Sequence, residues 1–333
     1  MIKRYIYLTL KRVKYFIIIF LLIACKKPDN SQPNDFGLFT EHTIVIDGLT
    51  RNYDFYIPSY IDSMSVPLIF MLHGGSLTSD DLTGKSGLKA PYKVWMDIAE
   101  KEKFIIVYPN GAISPLGKQG WNDCREDATT NPSVDDVSFI DSLISHFSNT
   151  YNINTNQIYA TGTSNGGHMA LRLALELSHK IAAVAPIAAS MPADICNNPN
   201  NPISVLFMVG TDDPLSPYIG GEVAPNIGGR GTVLSVEESV SFWINFNQTD
   251  SIPFIENFQD INTTDNSSVR STTYSNGIES TQVALYDILG GGHLEPSIQE
   301  QYSTQLESVL GNQNHDIEMA LIIWNFFSDK TLN

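Results

Sequence analysis

The sequence predicts an α/β fold, a mostly parallel central sheet with helices on both faces. Two observations predict it. Short, solid apolar runs alternate along the chain with amphipathic segments of helical period, and strands buried on both faces belong to parallel sheets covered by crossover helices. No linker-like stretch interrupts this alternation between residues 41 and 330 of the 333, so a single domain is expected there.

The elements follow in order. Residues 43–46 and 52–57 alternate apolar and polar around Asp47-Gly48, the pattern of an opening hairpin. Residues 67–72 form an apolar strand that runs into His73-Gly74-Gly75, residues 92–101 read as a helix, and residues 104–108 as a strand stopped by Pro109-Asn110-Gly111. A helix is expected over 134–151, where Val137, Ile140, Ile144 and Phe147 recur at spacings of three and four. A strand over 157–161 and a helix over 165–177 come next, then strands over 181–187 and 204–209. A helix over 236–246, a strand over 281–288 and a closing helix over 317–327 complete the series. Residues 214–234 and 247–280, rich in Gly, Asn, Ser and Thr, read as surface excursions that could shape a substrate entrance.

Charge is unevenly placed. The formal net charge is −16, yet residues 1–24 hold five basic side chains and no acid, which leaves the remainder at −21. So acidic a surface repels phosphate backbones and excludes nucleic acid as an expected partner. The basic start is followed by the ten-residue apolar run 15–24. At 1.5 Å per residue it is about 15 Å of helix, too short for a hydrocarbon core of roughly 30 Å, but long enough for a signal peptide. The run ends in Leu22-Ile23-Ala24-Cys25, which resembles a bacterial lipobox with Cys25 as the lipidated residue of the mature N-terminus. Residues 1–24 are therefore expected to be a lipoprotein signal peptide, residues 25–40 a flexible tether, and the protein an exported one, either held by its lipid in the bacterial cell envelope, at the outer membrane or cell surface, or secreted. The two other cysteines, Cys124 and Cys196, form an even pair that suggests a disulfide in such a compartment.

Gly162-Thr163-Ser164-Asn165-Gly166-Gly167 lies between an expected strand and an expected helix. A G-x-S-x-G turn in that context presents its serine above the sheet at a helix N-terminus, so Ser164 is the candidate nucleophile. A hydroxyl is a poor nucleophile until a base takes its proton. His293, in Gly290-Gly291-Gly292-His293 just beyond the strand over 281–288, is the candidate base. An acid should orient it, and Asp212 or Asp213, after the strand over 204–209, could serve. Asp135 and Asp136 read instead as acids at a helix start. Backbone N–H groups of Gly75 (or Ser76) and Asn165 are the candidate oxyanion hole. No cofactor and no metal are expected.

These motifs resemble those of the polyhydroxybutyrate depolymerase and feruloyl esterase-like proteins, related to family 1 carbohydrate esterases, within the α/β-hydrolase superfamily. The likeness spans most of residues 50–328 through Leu72-His73-Gly74-Gly75, Trp121-Asn122, Val134-Asp135-Asp136-Val137, the serine turn, Gly210-Thr211 with Asp213-Pro214, Arg230-Gly231 and Gly290-Gly291-Gly292-His293. The resemblance implies a serine ester hydrolase acting on feruloyl or acetyl groups of polysaccharides, or on short hydroxyalkanoate esters, and it selects Asp213 as the acid. Where that family carries Thr-Trp-Pro-Gly after its histidine, this chain has Leu294-Glu295-Pro296-Ser297. Glu295 is accordingly expected to make the rim beside the base more polar, and Trp121 to be either a core residue or an aromatic platform for a sugar or phenolic ring. A peptidase on the same scaffold and a surface-anchored binding protein that keeps the fold without catalysis are the competing readings.

Overall fold

The computed structural model describes residues 36–61 and 64–332. The expected signal segment, Cys25 and most of the expected tether lie outside them. The chain opens with β1 (Gly37–Ile46) and β2 (Leu49–Ile57), an antiparallel hairpin closed by Asp47 and Gly48, both at positive φ. Residues 37–40, expected in the tether, thus belong to β1. Two left-handed residues match the twist of the flanking strands, which is why Asp-Gly marks this turn in the sequence.

Then come β3 (Val66–Leu72), α1 (Val94–Glu102), β4 (Ile105–Pro109), α2 (Asp136–Thr150), β5 (Ile153–Thr163), α3 (Asn165–Glu176), β6 (Ala183–Ile187) and β7 (Ser204–Gly210). After α4 (Val236–Asn247) the chain adds β8 (Phe254–Asn257), β9 (Ser268–Tyr274) and β10 (Val283–Leu289), and it ends with α5 (Thr304–Leu310) and α6 (Met319–Phe327). The ten strands form one sheet in the order β1-β2-β4-β3-β5-β6-β7-β10-β9-β8. Its six central strands, β4 to β10, are parallel, and an antiparallel pair flanks them on each side.

The expectation for residues 247–280 is corrected here. They hold β8 and β9, which extend the sheet beyond β10. All four residues of β8 are exposed and β9 is mostly Ser, Thr and Arg, so these edge strands lack the apolar signature of the centre.

Central strands are buried on both faces. In β3, Leu68, Phe70 and Leu72 pack into one core with Phe139 and Ile140 of α2, Met169 and Leu173 of α3 and Trp243 of α4. Ile69 and Met71, on the opposite face, pack with Trp95 of α1 and with Ile323, Trp324 and Phe327 of α6. This two-sided burial is the physical source of the solid apolar runs. It also fixes the register, since a slip of one residue would exchange the two faces.

Candidate active site

The C-terminal ends of β3, β5, β7 and β10 converge on one region, where open α/β sheets place their ligands. Each end contributes one part of the site.

At the end of β5 the chain turns into α3 within a single residue. Ser164 has φ 54° and ψ −121°, a conformation costly for a residue with a Cβ and held only when its surroundings enforce it. Its N–H donates to the Ile187 carbonyl (2.8 Å), and its own carbonyl accepts from His168 N (2.9 Å). The flanking glycines make this possible. A Cβ on Gly162 would stand 2.6 Å from the Leu72 carbonyl oxygen, and one on Gly166 would stand 2.1 Å from the same atom. The turn is therefore packed backbone to backbone against the end of β3.

At the ends of β7 and β10, Asp213 and His293 meet. Nδ1 of His293 lies 2.6 Å from Asp213 Oδ2, while Asp213 Oδ1 accepts from the Leu215 and Ser216 N–H groups (2.7 and 2.8 Å). The carboxylate thus has three hydrogen-bond donors in a buried position. Neighbouring Asp212 is exposed and accepts from the Thr211 hydroxyl. With Nδ1 engaged, Nε2 is the histidine nitrogen left for chemistry. Ser164 and His293 line one cavity of about 230 Å³, together with Gly74, Gly75 and a set of leucines that includes Leu77, Leu215 and Leu294.

Beyond β3, the N–H groups of Gly75 and Ser76 in the candidate oxyanion loop differ in availability. The Ser76 N–H donates to the Gln119 carbonyl at 2.8 Å, so it is already committed. The Gly75 N–H has no such acceptor among the described residues, and neither does that of Asn165, which opens α3 where no intrahelical acceptor exists. The two residues are neighbours: the Asn165 Cβ lies 3.7 Å from where a Cβ on Gly75 would stand.

A buried polar scaffold holds Asn165. Asn165 Oδ1 accepts from the Trp121 N–H (2.7 Å), and its Nδ2 donates to the Trp121 carbonyl and to Asp123. Asp123 is also ion-paired with Arg125 and accepts from Asn131. Burial pushes the Asp123 carboxyl up, but the Arg125 guanidinium outweighs it and leaves the group below its ordinary pKa. Cys124, within the same segment, is disulfide-bonded to Cys196 with Cα atoms 5.5 Å apart. The sequence marked the cysteines but gave no sign of Asp123, whose partners lie up to 42 residues away.

The structure selects one of the two readings of Trp121 and corrects that of Glu295. Trp121 is fully buried, its ring 5.0 Å from that of His73, and its Nε1 donates to the His73 carbonyl at 2.8 Å. It is a core residue behind the oxyanion loop and has no face free for a ring platform. Glu295 is also fully buried. Both its oxygens lie 2.9 Å from Lys89 Nζ, and one accepts from the Tyr302 hydroxyl. Burial raises the Glu295 pKa, but Lys89 and Tyr302 overcome that and hold it below the usual carboxylate value. The carboxylate therefore lies under the cavity wall, which Lys89 and Tyr302 themselves help to form. Neither residue carried a sequence signal, since Lys89 meets Glu295 across 206 residues.

His73 is buried with Nδ1 2.8 Å from the Gly74 carbonyl, and its Nε2 accepts from the Gly111 N–H at 2.9 Å. It is neutral, since burial lowers its pKa to about 4. Asp135 and Asp136 behave as the sequence suggests. Asp135 caps α2 by accepting from Ser138 N, and Asp136 is buried against Arg51 at 2.6 Å.

Comparison with known proteins agrees with this architecture. Residues 53–187 match the family model described as BD-FAE, a stretch that contains the oxyanion loop and Ser164 but ends before Asp213 and His293. A Nocardia uniformis subsp. tsuyamanensis protein named as an esterase, NocK, is 30% identical over 190 residues, which cover 56% of this chain and 52% of that one. Feruloyl esterase D of Neurospora crassa is 29% identical over 213 residues, covering 57% of this chain and 69% of that one. The chain thus spans about half the length of the first of these relatives. Among solved structures, an acetyl xylan esterase from Aspergillus awamori superposes with a TM-score of 0.50 at 15% identity, covering 78% of this chain and 94% of that one, which bears on the fold alone. Over residues 53–187 the chain is similar to the BD-FAE family, and its sheet and helices share the fold of the acetyl xylan esterase.

Proposed function

We propose that the protein is a serine carboxylic ester hydrolase in which Ser164, His293 and Asp213 act as a triad. The observation that carries this reading is the 2.6 Å contact of His293 Nδ1 with a buried Asp213, at the cavity lined by the strained Ser164. In the first step the Ser164 Oγ attacks the ester carbonyl carbon and its proton passes to His293 Nε2. Asp213 accepts the Nδ1–H bond throughout and stabilises the imidazolium. The negative charge on the former carbonyl oxygen falls to the N–H groups of Gly75 and Asn165 at the positive end of α3. Collapse breaks the bond to the alcohol, which leaves with the proton from His293, and the acyl group remains on Ser164. Water then attacks the acyl-enzyme with His293 again as base, and releases the carboxylic acid.

The cavity suggests what is hydrolysed. At about 230 Å³ it is smaller than the roughly 300–1,000 Å³ of pockets for drug-sized ligands, so it suits a short acyl chain or a single ring. Its leucines are apolar, and Lys89, which also lines it, is already paired with Glu295. The names of the relatives point the same way, to feruloyl or acetyl esters, with short hydroxyalkanoate esters as the other substrate class implied by the sequence. Turnover of 4-nitrophenyl acetate tests the chemistry. Ser164→Ala should lose about 10⁴-fold or more while remaining folded, and His293→Ala should match it, because the residues act as one unit. Undiminished turnover by Ser164→Ala would remove the assignment.

The N-terminal lipid anchor on Cys25 belongs to the same proposal and rests on Leu22-Ile23-Ala24-Cys25. Cys25→Ser should leave the protein unprocessed or released. An unlipidated N-terminal peptide from wild-type protein that still partitions with membranes would refute it.

A further inference from the structure

Five arginines lie among the described residues, and four of them are ion-paired: Arg51 with Asp136, Arg125 with Asp123, Arg172 with Glu176 and Arg270 with Asp287. The fifth, Arg230, is partly buried, and its guanidinium has no carboxylate and no hydrogen-bond acceptor among the described residues. In a chain with 36 acidic against 20 basic side chains, a cation without an acid is unexpected. Burial lowers its pKa, and the charged neighbour that adds to this is another cation, Arg125.

Its position is set with care. The carbonyl before it, on Gly229, accepts from Thr130 N and Oγ1 (3.2 and 2.9 Å). Its own carbonyl accepts from Arg125 Nη1 at 2.7 Å. Thr232, two residues on, is bonded through both N and Oγ1 to Asp127. Arg125 is the same residue that pairs with Asp123, which in turn holds Asn165. One scaffold therefore fixes both the Asn165 side of the oxyanion hole and the backbone of Arg230. The side chain is aimed at that hole, with Nη1 3.5 Å from where a Cβ on Gly75 would stand. Yet Arg230 is not among the residues that line the leucine-rich cavity. An ester carbonyl seated at Gly75 and Asn165 would have the apolar cavity on one side and the guanidinium on another.

From this geometry we infer that Arg230 is a specificity residue that receives a carboxylate on the alcohol portion of the substrate, while the acyl group occupies the leucine-lined cavity. The inference rests on the ester hydrolase reading. A planar guanidinium offers a carboxylate two parallel N–H donors, and a site built for such a pair discriminates against the neutral analogue that lacks it. Two sources share this chemistry: a sugar acid bearing an acyl ester, and a hydroxy-acid oligomer with a free carboxyl end.

The test uses matched pairs that differ only in charge on the alcohol side. These are 4-acetoxybenzoate against 4-acetoxybenzamide, 3-acetoxybutanoate against 3-acetoxybutanamide, and acetylated glucuronate against acetylated glucose. Wild-type protein should favour the charged member of the first pair by about tenfold in kcat/KM, the scale of one charge-assisted contact at a partly exposed site. Arg230→Gln should abolish that ratio and Arg230→Lys should keep part of it. The second and third pairs then identify the source. A wild-type ratio near one, a ratio unchanged in Arg230→Gln, or equal losses on both members of the pair would overturn the inference while leaving the esterase reading intact. If no ester is turned over at all, the esterase reading fails by itself. Binding of 4-acetoxybenzoate to Ser164→Ala, with and without Arg230→Gln, then decides the arginine's role by calorimetry: about tenfold weaker binding supports it and equal binding overturns it.

Discussion

Truncation of Trp121 separates two roles that a tryptophan near an active site can have. Its side chain is fully buried, and its Nε1 donates to the His73 carbonyl within the oxyanion loop. Trp121→Ala should cost about 3–5 kcal/mol for the lost packing, plus roughly 1 kcal/mol for leaving the His73 carbonyl without its donor. At about 2–4 °C per kcal/mol for a domain of this size, the melting temperature should fall by about 10 °C or more. Trp121→Phe keeps most of the packing and loses the hydrogen bond, so it should lose about 1–2 kcal/mol. Because the ring backs His73-Gly74-Gly75, the surviving enzyme should show its defect in kcat, through a displaced Gly75 N–H, with KM for a small ester little changed. Urea denaturation and steady-state kinetics on 4-nitrophenyl acetate read both quantities. A variant as stable as wild type with a raised KM would mean that the ring contacts substrate, and the structural account would be wrong.

Two further perturbations follow from the buried charges. Lys89→Met strands Glu295 in a fully buried position and should cost about 3–5 kcal/mol, whereas Lys89→Met with Glu295→Met should recover most of it, because a well-packed apolar pair can replace a buried ion pair; equal denaturation midpoints for the single variant and wild type would contradict this. Stability should also fall with acidity between about pH 6.5 and pH 5. Burial lowers His73 to about 4 and, with the Arg125 charge as the next cause, His168 to about 3. The unfolded chain then takes up protons near pH 6.5 that the folded one refuses. Each histidine's contribution is whole above pH 6.5 and erodes by roughly 1.4 kcal/mol per pH unit until the folded pKa is reached. Urea midpoints should show that slope, reduced in His168→Asn; a flat profile from pH 6.5 to pH 5 would refute it.

The sequence disclosed most where one residue type alone satisfies a local constraint. Gly162 and Gly166 are required because the Leu72 carbonyl occupies the space of any side chain, so the turn around Ser164 could be read directly. The central strands were legible for a related reason, since burial on both faces leaves only apolar residues in β3 and β4. Strands β8 and β9 were not, because edge position and partial exposure permit the Ser, Thr and Asn of a loop. Helix α5 was missed for the same cause, having no buried residue. The rim position expected of Glu295 fails, and the two readings of Trp121 stay open in the sequence, because polarity and aromatic character say nothing of which way a side chain turns. Glu295 points inward only because Lys89, 206 residues earlier, waits there.

That separation has a consequence in time. Chains are synthesised at about 5–20 residues per second and fold from the N-terminus as they emerge. Roughly 10–40 s therefore pass between the appearance of Lys89 and that of Glu295. From about a third of the way through this interval, once Ser164 has been made, the strands that carry it and the candidate oxyanion loop can exist while the wall of the cavity has an uncompensated lysine and His293 has not been made. The proposed hydrolytic centre is completed only when β10 docks beside β7, so a nascent polypeptide that ends short of β10 carries the candidate nucleophile without its candidate base.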